Sequence, residues 1–132
     1  MKPSRFIEAA LWFPEAVETE PFGPGPLVYK VCDRMFALFM EGSDGDAPAR
    51  ANLKCDPVHA LELRDRFPAV TPGYHMNKDH WNTVVLDGTV PEDEVLEMLR
   101  DSYTLVARGL RKADRERVLA VLGDDLPEIG DA

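Results

Sequence analysis

The chain has 132 residues, of which 45% are hydrophobic and 30% are charged. This composition is typical of a folded globular domain and argues against a disordered chain. No apolar run is long enough to span a bilayer, and the first residues lack the apolar stretch of a signal peptide. We therefore predict a cytoplasmic protein that does not enter the membrane. Cys32 and Cys55 are expected to be two buried thiols, which leaves open a disulfide that a domain of this size does not need.

The net charge of −9 is unevenly distributed along the chain. Residues 1–47 contain eight acidic and four basic residues, and residues 88–132 contain eleven acidic and six basic residues. Residues 48–87 contain five of each and all three histidines. A strongly acidic protein is repelled at long range by nucleic acid and by anionic membranes. Any anion-binding face is therefore expected within the neutral segment 48–87.

The first half of the chain predicts one helix followed by two strands. Ser4 is a candidate N-cap for a helix that Pro14 should end. A short acidic stretch and a Pro/Gly-rich loop at 21–26 follow. Residues 27–31 and 35–40 have the apolar pattern of strands on either side of a break at Asp33-Arg34. The polar segment 42–48 includes Asp44-x-Asp46, which we interpret as a solvated hairpin tip because the later carboxylate of a calcium loop is missing.

Residues 49–55 alternate in polarity and predict a third strand. Ala51, Leu53 and Cys55 should share one face, and Arg50, Asn52 and Lys54 the other. Asp56 should then cap a helix that has Pro57 in its first turn. The apolar side of this helix is predicted to contain the residues Val58, Leu61 and Leu63.

The second half predicts one or two more strands and two helices. Residues 83–86 form a short β-branched apolar run, typical of a buried strand. Thr89 and Glu92 have the spacing of a capping box before a long helix that is apolar over a wide face. A shorter helix around 115–122 should end at Gly123, before a frayed acidic tail at 124–132. We predict one α+β domain over residues 1–123, with helices packed on one face of a mainly antiparallel sheet.

The segment 71–87 contains the densest group of chemically useful side chains. It begins with the turn-forming pair Pro72-Gly73 and ends in the predicted strand. A loop held by a rigid scaffold is a common position for binding residues. The ring and hydrogen-bonding side chains of this loop are Tyr74, His75, Asn77, Lys78, His80, Trp81 and Asn82.

Several ordered motifs make the chain resemble the MmcQ/YjbR-like family. The motifs are Pro21-Phe22-Gly23, Met35-Phe36-Ala37-Leu38, Asn52-Leu53-Lys54-Cys55-Asp56-Pro57, Pro72-Gly73-Tyr74-His75-Met76-Asn77-Lys78-x-His80-Trp81-Asn82-Thr83-Val84 and Ser102-Tyr103-x-Leu105-Val106. The resemblance covers roughly residues 4–112. It implies a CyaY-like α+β fold, related in shape to frataxin, and a role in DNA binding through a double-wing arrangement.

Three hypotheses about the site follow, and they differ in ligand. In the first, cations contact phosphates and rings stack on bases. In the second, His75 and His80 bind a metal together with Asp79 or Asp56. In the third, an acidic ridge binds iron or a basic protein. That ridge would comprise Glu8, Glu15, Glu18 and Glu20.

We favour a monomeric, non-enzymatic binding module with DNA as its expected partner and a protein partner as the alternative. No catalytic residue, metal site or cofactor is predicted, because the chain has neither a phosphate-binding Gly-rich loop nor a nucleophile elbow. Buried packing at the edge of the core is the competing explanation for the rings. The candidate binding residues are Arg50, Lys54, Asp56, Tyr74, His75, Asn77, Lys78, His80, Trp81 and Asn82.

Overall fold

A computed structural model describes residues 1–42, 47–74 and 76–130. The helices are α1 (Pro3–Trp12), α2 (Pro57–Arg66), α3 (Glu92–Arg108) and α4 (Lys112–Leu122). The strands are β1 (Ala16–Thr19), β2 (Leu27–Val31), β3 (Arg34–Met40), β4 (Arg50–Lys54), β5 (Val70–Pro72) and β6 (Trp81–Val85). The predicted hairpin tip with Asp44 and Asp46 lies outside the described residues, as does His75.

The six strands form one antiparallel sheet in the order β1-β2-β3-β4-β6-β5. Helices α1, α2 and α3 pack on one face of it, and α4 packs on α3. The prediction of an α+β fold with helices on one face is thus confirmed. Within the described ranges, no helix has the length and apolarity needed to cross a membrane.

An aromatic cluster fills the space between the sheet and the helices. Phe13 stacks on Tyr103 with ring centroids 4.8 Å apart, and Phe36 meets Tyr103 edge to face at 5.1 Å. Phe6 of α1 stacks on Phe39 of β3 at 5.4 Å. These rings are 0–2% exposed, so the cluster ties α1 and α3 to the sheet mainly through apolar burial.

Two predicted helix caps are wrong. Ser4 lies inside α1, whose N-cap is Lys2 and has no side-chain cap. Thr89 lies outside α3, whose N-cap is Pro91. The Thr89 hydroxyl donates instead to Asp87 Oδ1. Pro3 occupies the first turn of α1, where a backbone amide donor is not needed, whereas Pro91 is itself the N-cap of α3. The Asp56 cap is confirmed, since its carboxylate accepts bonds from the first amides of α2.

Strands β1 and β5 are absent from the sequence prediction, and the buried side of α2 was misassigned. Residues 16–19, which the sequence places in a short acidic stretch, pair with β2 along the sheet edge. Val58 and Leu61 are 66% and 62% exposed, whereas Ala60 and Leu63 are buried. The sequence alone could not show which side of α2 is buried, because the helix is only weakly amphipathic. Its orientation is set by its contacts with β5 and β6.

The expectation of a frayed end is wrong for residues 124–130. Arg100 donates to the carbonyls of Gly123 and Asp125, at 2.7 and 3.1 Å. Arg5 donates to Gly130 O, and Ile129 packs against the core. The segment has no regular secondary structure, yet these contacts hold it against α1 and α3.

Neither cysteine forms a disulfide. Cys55 is buried as predicted, but Cys32 is only half-buried because it lies in the β2–β3 turn. Cys32 and Asp33 have φ values of 47° and 65°, the left-handed geometry of a two-residue hairpin turn. The turn therefore lies one residue earlier than the predicted break at Asp33-Arg34.

Candidate nucleic-acid interface

The sheet has one face that the helices do not cover, which we call the open face. Along β4, Ala51 and Leu53 face the helices, so Arg50, Asn52 and Lys54 face the other way. The same alternation and pairing place Lys30 of β2 and Trp81 of β6 on the open face. The predicted alternation of β4 is confirmed.

A buried hydrogen-bond network attaches the β5–β6 loop, residues 73–80, to the open face. Thr83 Oγ1 donates to Asn52 Oδ1 at 2.6 Å and accepts from the backbone amide of Tyr74 at 2.9 Å. Asn52 Nδ2 donates to the carbonyl of Tyr74 at 3.0 Å. Because both side chains are at most 3% exposed, these bonds fix the backbone at Tyr74 against the sheet.

This backbone position brings Tyr74 beside Arg50. The Arg50 guanidinium carbon lies 5.9 Å from the centre of the Tyr74 ring, which is within cation–π range. The Tyr74 side chain is nevertheless 52% exposed, so its ring remains accessible to solvent. Trp81 is half-buried and pairs with Lys54 across β4 and β6. Tyr74 thus lies beside a cation, and Trp81 has Lys54 as its cross-strand neighbour.

The far end of the same loop is fixed from the helix side by Arg64 of α2. Arg64 Nε donates to Asn82 Oδ1 at 2.7 Å, and Nη2 donates to the carbonyl of Lys78. Asn82 is 2% exposed and also donates to Ala60 O at 3.4 Å. Asn82 therefore supports the loop from within the protein and is not accessible to a ligand.

Of the other candidate residues, some make hydrogen bonds that support the structure and others are exposed at the surface. Asn77 accepts from the Asp79 amide within the loop, and Asp56 is occupied by capping α2. Lys78 and His80 are exposed, with Lys78 Nζ at 3.3 Å from the carbonyl of Gly73.

The residues of the proposed metal site are not brought together by anything the structure describes. His75, its first member, lies outside the described residues. Among residues 1–42, 47–74 and 76–130, no group of three or more His, Cys, Asp or Glu side chains is arranged to hold a metal ion.

The carboxylates of the proposed acidic ridge make separate contacts with different parts of the protein. Glu15 binds Arg117 through two hydrogen bonds, and Glu18 accepts from the Tyr29 hydroxyl. Glu8 accepts from the backbone amide of Gly130. Only Glu20 has no contact of this kind among the described residues, so the four carboxylates do not form a shared site.

The charges of the open face differ from those of the helix side. In the described part of the chain, the six strands place no acidic side chain on the open face. Lys30 and Lys54 make no ion pair with any residue that the structure describes. The ion pairs that the structure describes use basic residues of the helices and their flanks, namely Arg5, His59, Arg66, Arg111 and Arg117.

Ser102 and Cys55, two side chains whose chemistry could serve as a nucleophile, are buried and have structural roles. Ser102 is fully buried, donates to Phe36 O and accepts from the Lys54 amide at 2.7 Å. Burial raises the pKa of the Cys55 thiol to about 11, which keeps it protonated near neutral pH. Ser102 therefore joins α3 to β3 and β4.

Sequence analysis missed Lys30 and Arg64. Lys30 lies far from the neutral segment in sequence, and only the pairing of β2 with β3 places it on the open face. Arg64 lies on a helix with no signal of a loop contact. In β2, Lys30 alternates with the buried Tyr29. Together with the strand order, this alternation would have placed Lys30 on the open face.

This chain belongs to the YjbR family, since residues 11–105 match the sequence model of that family. Similar proteins include "Uncharacterized protein YbdF" of Escherichia coli O157:H7, 38% identical over 74% of this chain and 78% of that protein. "Uncharacterized protein YjbR" of Escherichia coli K12 is 38% identical over 66% of this chain and 71% of that protein.

Solved structures have the same fold. Protein DR2400 of Deinococcus radiodurans, described with the domain DUF419, gives a TM-score of 0.79 at 40% identity over 96% of this chain and 93% of that one. A Pseudomonas syringae protein gives a TM-score of 0.71 at 27% identity, over 80% of this chain and 99% of that chain.

Proposed function

We propose that this protein binds nucleic acid through the open face and catalyses no reaction there. One observation supports this most directly. Lys30, Arg50 and Lys54 lie on a face to which the described strands add no acidic side chain, although the whole chain has a net charge of −9. A local cationic face can attract phosphates that the remainder of the surface repels.

The expected interaction is weak and depends on salt. Three phosphate contacts give a slope of roughly −2 to −3 in a plot of log affinity against log salt concentration. The acidic helix side opposes binding at long range, so a dissociation constant of about 10⁻⁴–10⁻⁶ M at physiological salt is expected, as for non-specific complexes. DNA as the partner follows from the family resemblance, and the face itself supports either nucleic acid.

Fluorescence anisotropy with a labelled oligonucleotide at low and at physiological salt tests the proposal. The variant Lys30→Ala/Lys54→Ala should bind about tenfold more weakly and show a shallower salt slope. The control Lys2→Ala/Lys112→Ala removes the same charge from exposed lysines at the starts of α1 and α4. Equal weakening by both variants would attribute the effect to net charge and refute the assignment to the open face. Absence of binding at low salt would refute nucleic-acid binding itself.

A further inference from the structure

We infer that the nucleic acid bound by the open face is single-stranded, with bases stacked on Tyr74 and Trp81. This inference rests on the proposed function and specifies its ligand. It follows from three features, namely the width of the open face, the charges on the helices and the position of a basic residue near each ring. The Arg50 guanidinium lies near Tyr74, and Lys54 is the cross-strand neighbour of Trp81.

The open face is too wide to enter a groove of duplex DNA. Six strands lie side by side, and a spacing of about 4.8 Å between strands makes the sheet roughly 24 Å wide. The major groove is about 12 Å wide and admits a helix or a two-stranded ribbon. An undistorted duplex would therefore present mainly its phosphates to the open face, and stacking of its bases on Tyr74 or Trp81 would require the duplex to be unstacked.

The helices are poorly suited to insertion into a groove. The exposed surface of α3 has Asp93, Glu97 and Asp101, which phosphates would repel. Helix α4 does contain cations, but Arg117 is paired with Glu15 and with Asp114. Helix α3 is therefore unsuited to a groove, and among its described residues α4 offers only Lys112 and Arg115 outside these ion pairs.

Tyr74 and Trp81 are positioned as stacking of single-stranded bases requires, with a basic residue near each ring. Tyr74 is 52% exposed beside Arg50, and Trp81 is the register partner of Lys54. Arg50 and Lys54 are four residues apart on β4, which corresponds to roughly 13 Å along an extended strand. A nucleic-acid strand lying along β4 would meet Arg50 with Tyr74 and then Lys54 with its cross-strand neighbour Trp81. Sequence-tolerant single-strand sites use this combination of phosphate contact and base stacking.

The Tyr74 ring can be removed without disturbing the network that holds its backbone. The hydrogen bonds to Asn52 and Thr83 use the amide and carbonyl of Tyr74, and its side chain takes no part in them. Tyr74→Ala should therefore fold normally, which thermal unfolding can verify, and Tyr74→Phe keeps a stacking ring as the matched control.

The experiment compares one labelled strand of about 12 nucleotides, within the usual site size, with the duplex formed from it. Anisotropy at low salt should show the single strand binding at least tenfold tighter. Tyr74→Ala should weaken single-strand binding about tenfold, while Tyr74→Phe should bind as the parent does. In a Trp12→Phe background, where Trp81 is the one remaining tryptophan, the single strand should quench Trp81 fluorescence and the duplex should not.

The possible failures are distinguishable. Duplex binding as tight as single-strand binding, weakened by Lys30→Ala/Lys54→Ala but not by Tyr74→Ala, would overturn the inference and leave the proposed function standing. Such a result would favour the double-wing arrangement implied by the family resemblance. Binding of neither ligand at low salt would overturn both.

Discussion

Arg64 Nε lies 2.7 Å from Asn82 Oδ1, and this bond joins helix α2 to the first residues of β6. Through the same guanidinium, α2 also holds the carbonyl of Lys78 in the β5–β6 loop. The loop that presents Tyr74 to solvent is therefore fixed at one end by the open-face network and at the other by a helix on the opposite face.

Removal of the Asn82 amide should destabilise the protein. Asn82→Ala leaves the half-buried Arg64 donor and the Ala60 carbonyl without this partner. Unsatisfied groups of this kind cost about 2–3 kcal/mol of unfolding free energy. Urea denaturation measures this loss, with Asn77→Ala as the control, because Asn77 is exposed and bonds only within its own loop. Similar stabilities for the two variants would contradict a structural role for Asn82.

The Thr83 hydroxyl can be tested apart from its methyl group. Thr83→Val keeps the shape but removes both the donor to Asn52 and the acceptor for the Tyr74 amide. We expect a loss of about 1–3 kcal/mol in unfolding free energy and faster hydrogen exchange of the Tyr74 amide. Thr83→Ser retains the hydroxyl and should retain the protection of that amide. Unchanged exchange in Thr83→Val would show that the network does not hold the loop.

Gly73 should not tolerate a β-carbon. An added Cβ would lie 2.8 Å from both Cβ and O of Trp81, closer than atoms in folded proteins approach. Gly73→Ala must separate the loop from β6 and should cost about 1–3 kcal/mol, as other overpacked substitutions do. Gly109→Ala is the control, because its Cβ would be 3.5 Å from the Val106 carbonyl, an ordinary contact. Thermal unfolding of both variants compares the two sites, and a stable Gly73→Ala would count against the close approach.

The bonds between Arg5 and Glu92 should contribute to stability in a pH-dependent way. Hydrogen bonds from the Arg5 guanidinium hold the pKa of Glu92 below its ordinary value. A depressed pKa gives stability that is present above the ordinary pKa of the carboxyl group and lost as the pH falls through the folded value. The contribution should be small, because both side chains are partly exposed.

Glu92→Gln should therefore lower the urea midpoint near neutral pH and have a smaller effect at about pH 3. Glu97→Gln is a suitable control, since Glu97 is exposed on the same helix and forms no ion pair among the described residues. A Glu92→Gln effect that is the same at both pH values would exclude an electrostatic origin.

The Cys55 thiol should react slowly in the folded protein. Burial raises the pKa of Cys55 to about 11, and burial also raises the pKa of Cys32. At about pH 8 the Cys55 thiol is therefore mainly protonated, and thiols react through the thiolate. Iodoacetamide labelling followed by mass spectrometry should show Cys55 modified only after unfolding in urea. Rapid labelling of Cys55 in the native protein would instead indicate that the strand end opens.

Local patterns were sufficient to predict most helices and strands. The alternation of residues 49–55 correctly divided Arg50, Asn52 and Lys54 from Ala51 and Leu53, because side chains on a strand alternate between faces whatever their partners. The predictions failed where contacts between residues distant in sequence determine the structure. Strand β1 has a polar sequence and exists through pairing with β2, and the segment 124–130 is held by Arg5 and Arg100.

The sequence by itself determined the α+β class, the family resemblance and the segment that contains Tyr74 and Trp81. Only the tertiary structure decided which polar residues are buried supports and which are surface. Asn52 and Asn82 have the same chemistry, yet Asn52 fixes the loop from the open face and Asn82 from the helix face. The physical reason is that polarity and period are local properties, whereas a hydrogen-bond partner is assigned by strand order and packing.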